Sequence, residues 1–176
     1  MSYTKFEAAT APATEPAKIR FDYTTDEIFN SVSLRSTYRA NMTKLADGES
    51  QLDDIAISQD ELDIVKEFLA ESVYDIAAEL FKITEGISLS VYVDTVLTDA
   101  TLASNGFEIK DNAAFNANLL PSLDKKIENT IRYSILREWY ASTGLLNDMK
   151  INQDMARANL IKVKNLTFQL RKPLMS

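Results

Sequence analysis

Between Leu62 and Ile83, apolar residues recur at steps of three and four: Leu62, Val65, Leu69, Val73, Ile76, Leu80 and Ile83. This spacing puts these seven side chains on one face of an α-helix of about six turns, and no strand would do so. The segment must therefore lie along a core with its other face wet. Ser58-Gln59-Asp60-Glu61 precedes it as an S-x-x-E capping box, and Gly86 follows as a stop signal. A second run begins at Pro121, whose missing N–H costs nothing in a first turn. There Leu123, Ile127, Ile131, Ile135 and Trp139 form one row, flanked by Tyr133, Leu136 and Tyr140. Gly144 stands where a left-handed C-terminal cap belongs. A third helix is expected from about Asn147 or Asp148 to about Gln169, with Pro173 barring its continuation.

Elsewhere the period changes. Ile87, Leu89, Val91 and Val93 alternate with Ser88, Ser90, Tyr92 and Asp94, the pattern of a half-buried strand. Asn105-Gly106 predicts a turn, with Phe107–Lys110 as a short partner strand. In the segment after Thr25, Ile28, Phe29, Val32 and Arg35 fall at helical spacing. Ser31–Leu34 reads equally well as a strand, and the segment is taken as a short helix. Residues 1–18 are rich in Ala, Thr and Pro and poor in apolar anchors, which predicts a mobile arm. The expected fold is mainly α: a small bundle of three to four helices with a β-hairpin insertion and extended N- and C-terminal arms. The divisions are an arm over 1–20, one helical domain over 21–170 with its hairpin at about 87–110, and a tail over 171–176. The chain of 176 residues is 45% hydrophobic, enough for one core.

Composition removes much chemistry. There is no cysteine, hence no disulfide or thiolate metal site, and no histidine, hence no imidazole ligand and no Ser-His or Cys-His nucleophile. The four glycines form no P-loop, G-x-G-x-x-G or G-x-S-x-G. The acidic loop counted from Asp47 lacks the glycine and glutamate of an EF-hand. Asp53-Asp54 and Asp60-Glu61 are adjacent acids, and adjacent positions diverge on a helix. No enzymatic activity, cofactor or metal is expected. No secretory leader or membrane span is read, which predicts a soluble protein made in a cytoplasm.

Charge is unevenly spread. Residues 1–100 carry eight bases and nineteen acids, net −11, whereas residues 101–176 carry eleven and seven, net +4. Asp63, Glu67, Glu71, Asp75 and Glu79 stand four apart on the first helix, a spacing at which like charges weaken a helix by about 0.2–0.5 kcal/mol per pair. Only Lys66 and Lys82 offset them. After Asp154 no acid occurs, while Arg157, Lys162, Lys164, Arg171 and Lys172 do. A solvated face accounts for the acids equally well. The two sets also suit contact with each other, within one molecule or between neighbours in a ring. A basic nucleic-acid reader fits less well, since no stacking platform or groove-binding motif accompanies the cations.

The stretch IRYSILREWYASTG, Ile131–Gly144, holds the only tryptophan and two of the seven tyrosines. No base, metal ligand or phosphate cradle is encoded beside it, so it reads as a packing seam.

Together with VSLRSTYRAN (Val32–Asn41) and SQDELDIVKEFLAESVYDIAAELF (Ser58–Phe81), that stretch resembles small structural proteins of tailed phages, most like the head–tail connector or adaptor proteins of phages infecting Bacteroidales. The resemblance covers most of the chain after about residue 20. It implies a mainly helical subunit of a homo-oligomeric, dodecameric ring beneath the portal, bridging portal to tail. DNA would pass through without being specifically bound, and the location would be the virion neck, after assembly in the host cytoplasm. Its partners would be the portal and the neighbouring tail or ring proteins, with no membrane involved. The N-terminal arm would embrace the adjacent subunit. The interface would draw on Asp63, Glu67, Glu71, Asp75 and Glu79 on one side and Arg157, Lys162, Lys164, Arg171 and Lys172 on the other. The alternating strand departs from the plainest all-helical adaptors, which keeps another tail-completion ring protein in view. A monomeric or dimeric binding module using the Trp139 face is the other alternative.

Overall fold

A computed structural model describes residues 3–7, 17–42, 55–83, 88–96, 103–111 and 115–170. Four strands, β1 (Tyr3–Glu7), β2 (Ala17–Thr24), β3 (Ser88–Val96) and β4 (Ala103–Asp111), form one antiparallel sheet in the order β1-β2-β4-β3. Among the described residues four long helices accompany it: α1 (Thr25–Met42), α2 (Leu62–Phe81), α3 (Leu120–Ser142) and α4 (Leu146–Leu170). The fold is mainly helical with a small sheet, as the periodicities require.

Alternation along the strands divides the sheet into two faces. Ile19, Phe21, Tyr23, Phe107 and Ile109 point inward and are 0–1% exposed. The Phe21 and Phe107 rings meet at 5.3 Å in a tilted pair. Arg20, Asp22, Glu108 and Lys110 lie between them on the outer face, partly exposed. Helices α1 and α2 cover the inner face. Helix α3 brings Leu123, Ile127, Ile131 and Ile135 to the centre, all 0% exposed. Helix α4 packs along α3 as a helical hairpin.

Local chemistry sets the helix ends. The Ser58 hydroxyl accepts from the Asp60 N–H at 3.3 Å, and Glu61 Oε2 accepts from the Ser58 N–H at 2.7 Å, which closes the capping box over a single 3₁₀ turn before α2. Between α3 and α4, Gly144 takes φ +76°. Its N–H donates to the Ala141 carbonyl at 3.3 Å and the Leu145 N–H to the Tyr140 carbonyl at 2.9 Å, a Schellman closure that a β-carbon would strain. Helix α4 begins one residue before the expected start and ends one after the expected end.

Three expectations are revised. The described parts of the segment over 1–20 lie in the sheet: residues 3–7 form β1, and residues 17–20 begin β2, an interior strand. Its anchors are Ile19, Phe21 and Tyr23, an alternation that the nearby prolines obscure. The segment after Thr25 is a helix of 18 residues, longer than expected, opened by Thr24, whose hydroxyl accepts from the Glu27 N–H at 3.4 Å. Asn105-Gly106 is not a turn but lies within β4, opposite Tyr23 and Asp22. A Cβ on Gly106 would stand 1.8 Å from the Phe21 carbonyl oxygen and 2.9 Å from the Tyr92 hydroxyl, so this glycine serves a close crossing. The hairpin expected at about 87–110 is present as β3 and β4. Gly86 lies outside the described residues.

Candidate interaction surfaces

The five acids of α2 do not share one environment. A step of four residues advances about 40° around a helix, so five such positions wind through about 160°. Asp63, Glu67, Glu71 and Asp75 are exposed, whereas Glu79 is carried round to the inner edge and is half-buried. Asp63 receives Lys66 Nζ at 2.8 Å. Glu79 holds two lysines, Lys164 of α4 through Oε2 and Lys82 through Oε1. These contacts, Lys164 first, pull the Glu79 carboxyl down to about 2.

Glu79–Lys164 is therefore an ion pair within one chain between the two charge sets. Around it, Asp75 and Glu79 of α2 face Gln153 and Arg157 of α4 across a groove of about 430 Å³, with Arg137 of α3 in its wall. The structure thus gathers Asp75, Glu79, Arg157 and Lys164. It leaves Asp63, Glu67 and Glu71 on the outer side of α2 and Lys162 on exposed α4 surface. Arg171 and Lys172 lie outside the described residues.

Apolar side chains were not part of the sequence reading of these surfaces, yet they accompany the charges. On α4, Ile151, Met155, Ile161 and Phe168 are 42–78% exposed, interleaved with Lys162 and Arg157. On α2, Ile64, Tyr74 and Phe81 accompany Glu67, Glu71 and Asp75. On α1, Leu34, Tyr38 and Met42 form an exposed row at i, i+4 and i+8. That row is legible in the sequence once α1 is known to be a helix, because the buried face is already supplied by Ile28, Phe29, Val32, Ser36 and Ala40. Leu34 and Tyr38 border a second groove, of about 510 Å³, floored by Leu136 and Tyr140 of α3. Arg39 closes one end, donating from Nε and Nη2 to Asp148 Oδ1 and Oδ2 at 2.7 and 2.9 Å. Burial, helped by Asp148, pushes the Tyr140 phenol up to about 12.

The aromatic stretch of α3 is engaged within the chain. The Trp139 indole N–H donates to the Ile55 carbonyl at 2.7 Å, and the Arg35 guanidinium lies 5.1 Å from the Tyr133 ring centroid. Among the described residues, no three acidic side chains converge in a way that could hold a metal ion, and no helix is long and apolar enough to cross a membrane. Comparison with known protein families, with curated proteins and with solved structures finds no match.

Proposed function

We propose that the chain is a structural subunit of a head–tail connector ring in a tailed phage, joining portal to tail and surrounding the path of the DNA. One observation carries this reading. The chain bears two unlike and complementary surfaces, exposed acids with Tyr74 and Phe81 on α2, and exposed cations with Ile161 and Phe168 on α4. Among the described residues the two charge sets meet at Glu79–Lys164, while Asp63 and Glu79 also hold Lys66 and Lys82 of their own helix. Unlike complementary surfaces suit a head-to-tail contact, and closing such contacts into a ring makes each subunit bind twice. Acids left on the inner wall would keep DNA from adhering as it moves. The resemblance to phage adaptors supports the same reading and supplies the dodecamer, the portal as partner and the virion neck as location. The engagement of Trp139 with Ile55 leaves less support for a binding module built on that face. A tail-completion ring protein would use the same surfaces.

Solution mass tests the proposal, with the purified chain alone and then mixed with the portal protein from the same genome. A monomer that becomes a large ring on mixing is expected. A monomer indifferent to the portal overturns the reading.

A further inference from the structure

The ladder pairings run straight across all four strands. Tyr3 pairs with Asp22, Asp22 with Gly106, and Gly106 with Tyr92; at the other end Glu7, Lys18, Lys110 and Ser88 form a row in the same way. Five complete rows result, so Tyr3–Glu7 on one edge of the sheet spans the same height as Ser88–Tyr92 on the other. Beyond Tyr92 the β3–β4 register shifts, so Ser88–Tyr92 is the part of the described β3 edge that keeps the regular register. Because four strands alternate in direction, the two edge strands run oppositely.

These features make the two edges fit each other. A second copy placed beside β3 without turning over presents its β1 antiparallel to β3, level with it row for row. With no offset along the strands, successive copies stand level with one another, as the subunits of a ring do. The sequence of the β3 edge is lightly guarded: Ser88–Val96 has no proline, lysine or arginine, Asp94 is its one charge, and its register irregularity lies beyond Tyr92. Its inward residues Leu89 and Val91 are only partly buried, whereas Ile109 and Phe107 beside them are 0% exposed.

We infer that copies of this chain join edge to edge, with β1 of one copy adding to Ser88–Tyr92 of the next in an antiparallel ladder that continues the sheet around the assembly. The inference rests on the ring reading and adds its joint. The occupant of the β3 edge is thus a second copy, related by rotation.

Hydrogen exchange on the full chain, as monomer and in the portal-bound assembly, tests this. Amides of both Tyr3–Glu7 and Ser88–Tyr92 are expected to exchange at least about tenfold more slowly on assembly, as edge amides do when they gain ladder partners. Protection confined to Ser88–Tyr92 would indicate a two-fold β3–β3 contact and overturn the inference. A ring of the expected mass with neither segment protected would overturn the joint and leave the ring reading intact. Failure to form any ring overturns both. A second measurement uses the absence of native cysteine. The double variant Lys5→Cys with Ser90→Cys, one row of the continued ladder, is expected to give a covalent ladder of oligomers on oxidation of the assembly. Dimers from Ser90→Cys alone would count for the two-fold contact and against the inference.

Discussion

The hydroxyl of Tyr92 lies 2.9 Å from where a Cβ on Gly106 would stand. The same oxygen is 2.8 Å from the Phe21 carbonyl, contacts Asp22 Oδ1, and accepts from Arg20 Nε at 3.0 Å. The Arg20 guanidinium stacks 4.5 Å from the Tyr92 ring centroid. Three strands are thereby tied over a residue that has no side chain. Gly106→Ala should cost about 3 kcal/mol, the upper end of overpacking, because its Cβ meets backbone oxygen that cannot move without separating β2 from β4. Tyr92→Phe should cost about 1 kcal/mol, one hydrogen-bonded group lost at a partly buried site. Urea unfolding of both variants checks the ranking.

Glu79 links stability to acid. Its carboxyl sits at about 2 in the folded chain against 4.5 for an ordinary glutamate, so its contribution is fully present above pH 4.5 and is lost as pH falls toward 2. Glu79→Gln should be less stable by about 1 kcal/mol at pH 7, a value reduced because water reaches the pair. The gap should close on acidification. Urea midpoints between pH 7 and pH 2 give the comparison, and a gap that widened in acid would contradict the assignment.

Glu71 is expected to act with opposite signs on the monomer and on the assembly. It stands between Glu67 and Asp75 at four-residue spacing, so Glu71→Lys converts two repulsions into two attractions and should stabilise the monomer by about 1 kcal/mol. The same change removes charge from the proposed acidic contact and should weaken ring formation, most clearly at low salt. Thermal unfolding and sedimentation of the one variant test both signs.

Trp139 offers a reporter as well as a bond. Trp139→Phe removes the indole N–H from the Ile55 carbonyl and should cost about 1–2 kcal/mol. In the wild type, indole fluorescence should follow the docking of the Ile55–Ile57 segment, and Ser36→Ala should shift it, since the Ser36 hydroxyl accepts the Ile57 N–H at 2.8 Å.

What the sequence disclosed depended on whether the cause was local. Helices α2 and α3, the capping box at Ser58 and the cap at Gly144 are written in residues that touch each other along the chain. Gly106 is different: the dipeptide Asn105-Gly106 carries a turn signal, and only Tyr92 and Phe21, remote in sequence, make it a strand residue. The β2 segment was hidden for a related reason, since Ile19, Phe21 and Tyr23 gain their meaning from strands almost ninety residues away. For the candidate surfaces, the acidic row was visible, but not its winding from solvent at Asp63 to the α4 contact at Glu79. The exposure of Leu34, Tyr38 and Met42 could be read only after α1 had been recognised as a full helix.

The Asn116 N–H donates to the Leu170 carbonyl at 2.7 Å, joining the chain just ahead of α3 to the final turn of α4. The helical hairpin is thus latched at its open end, opposite the turn at Gly144. A tug on the segment that follows Leu170 would meet this latch before it could peel α4 from α3. In the proposed ring, the pair of helices would bear load as one beam, and the latch would set the force at which it splits.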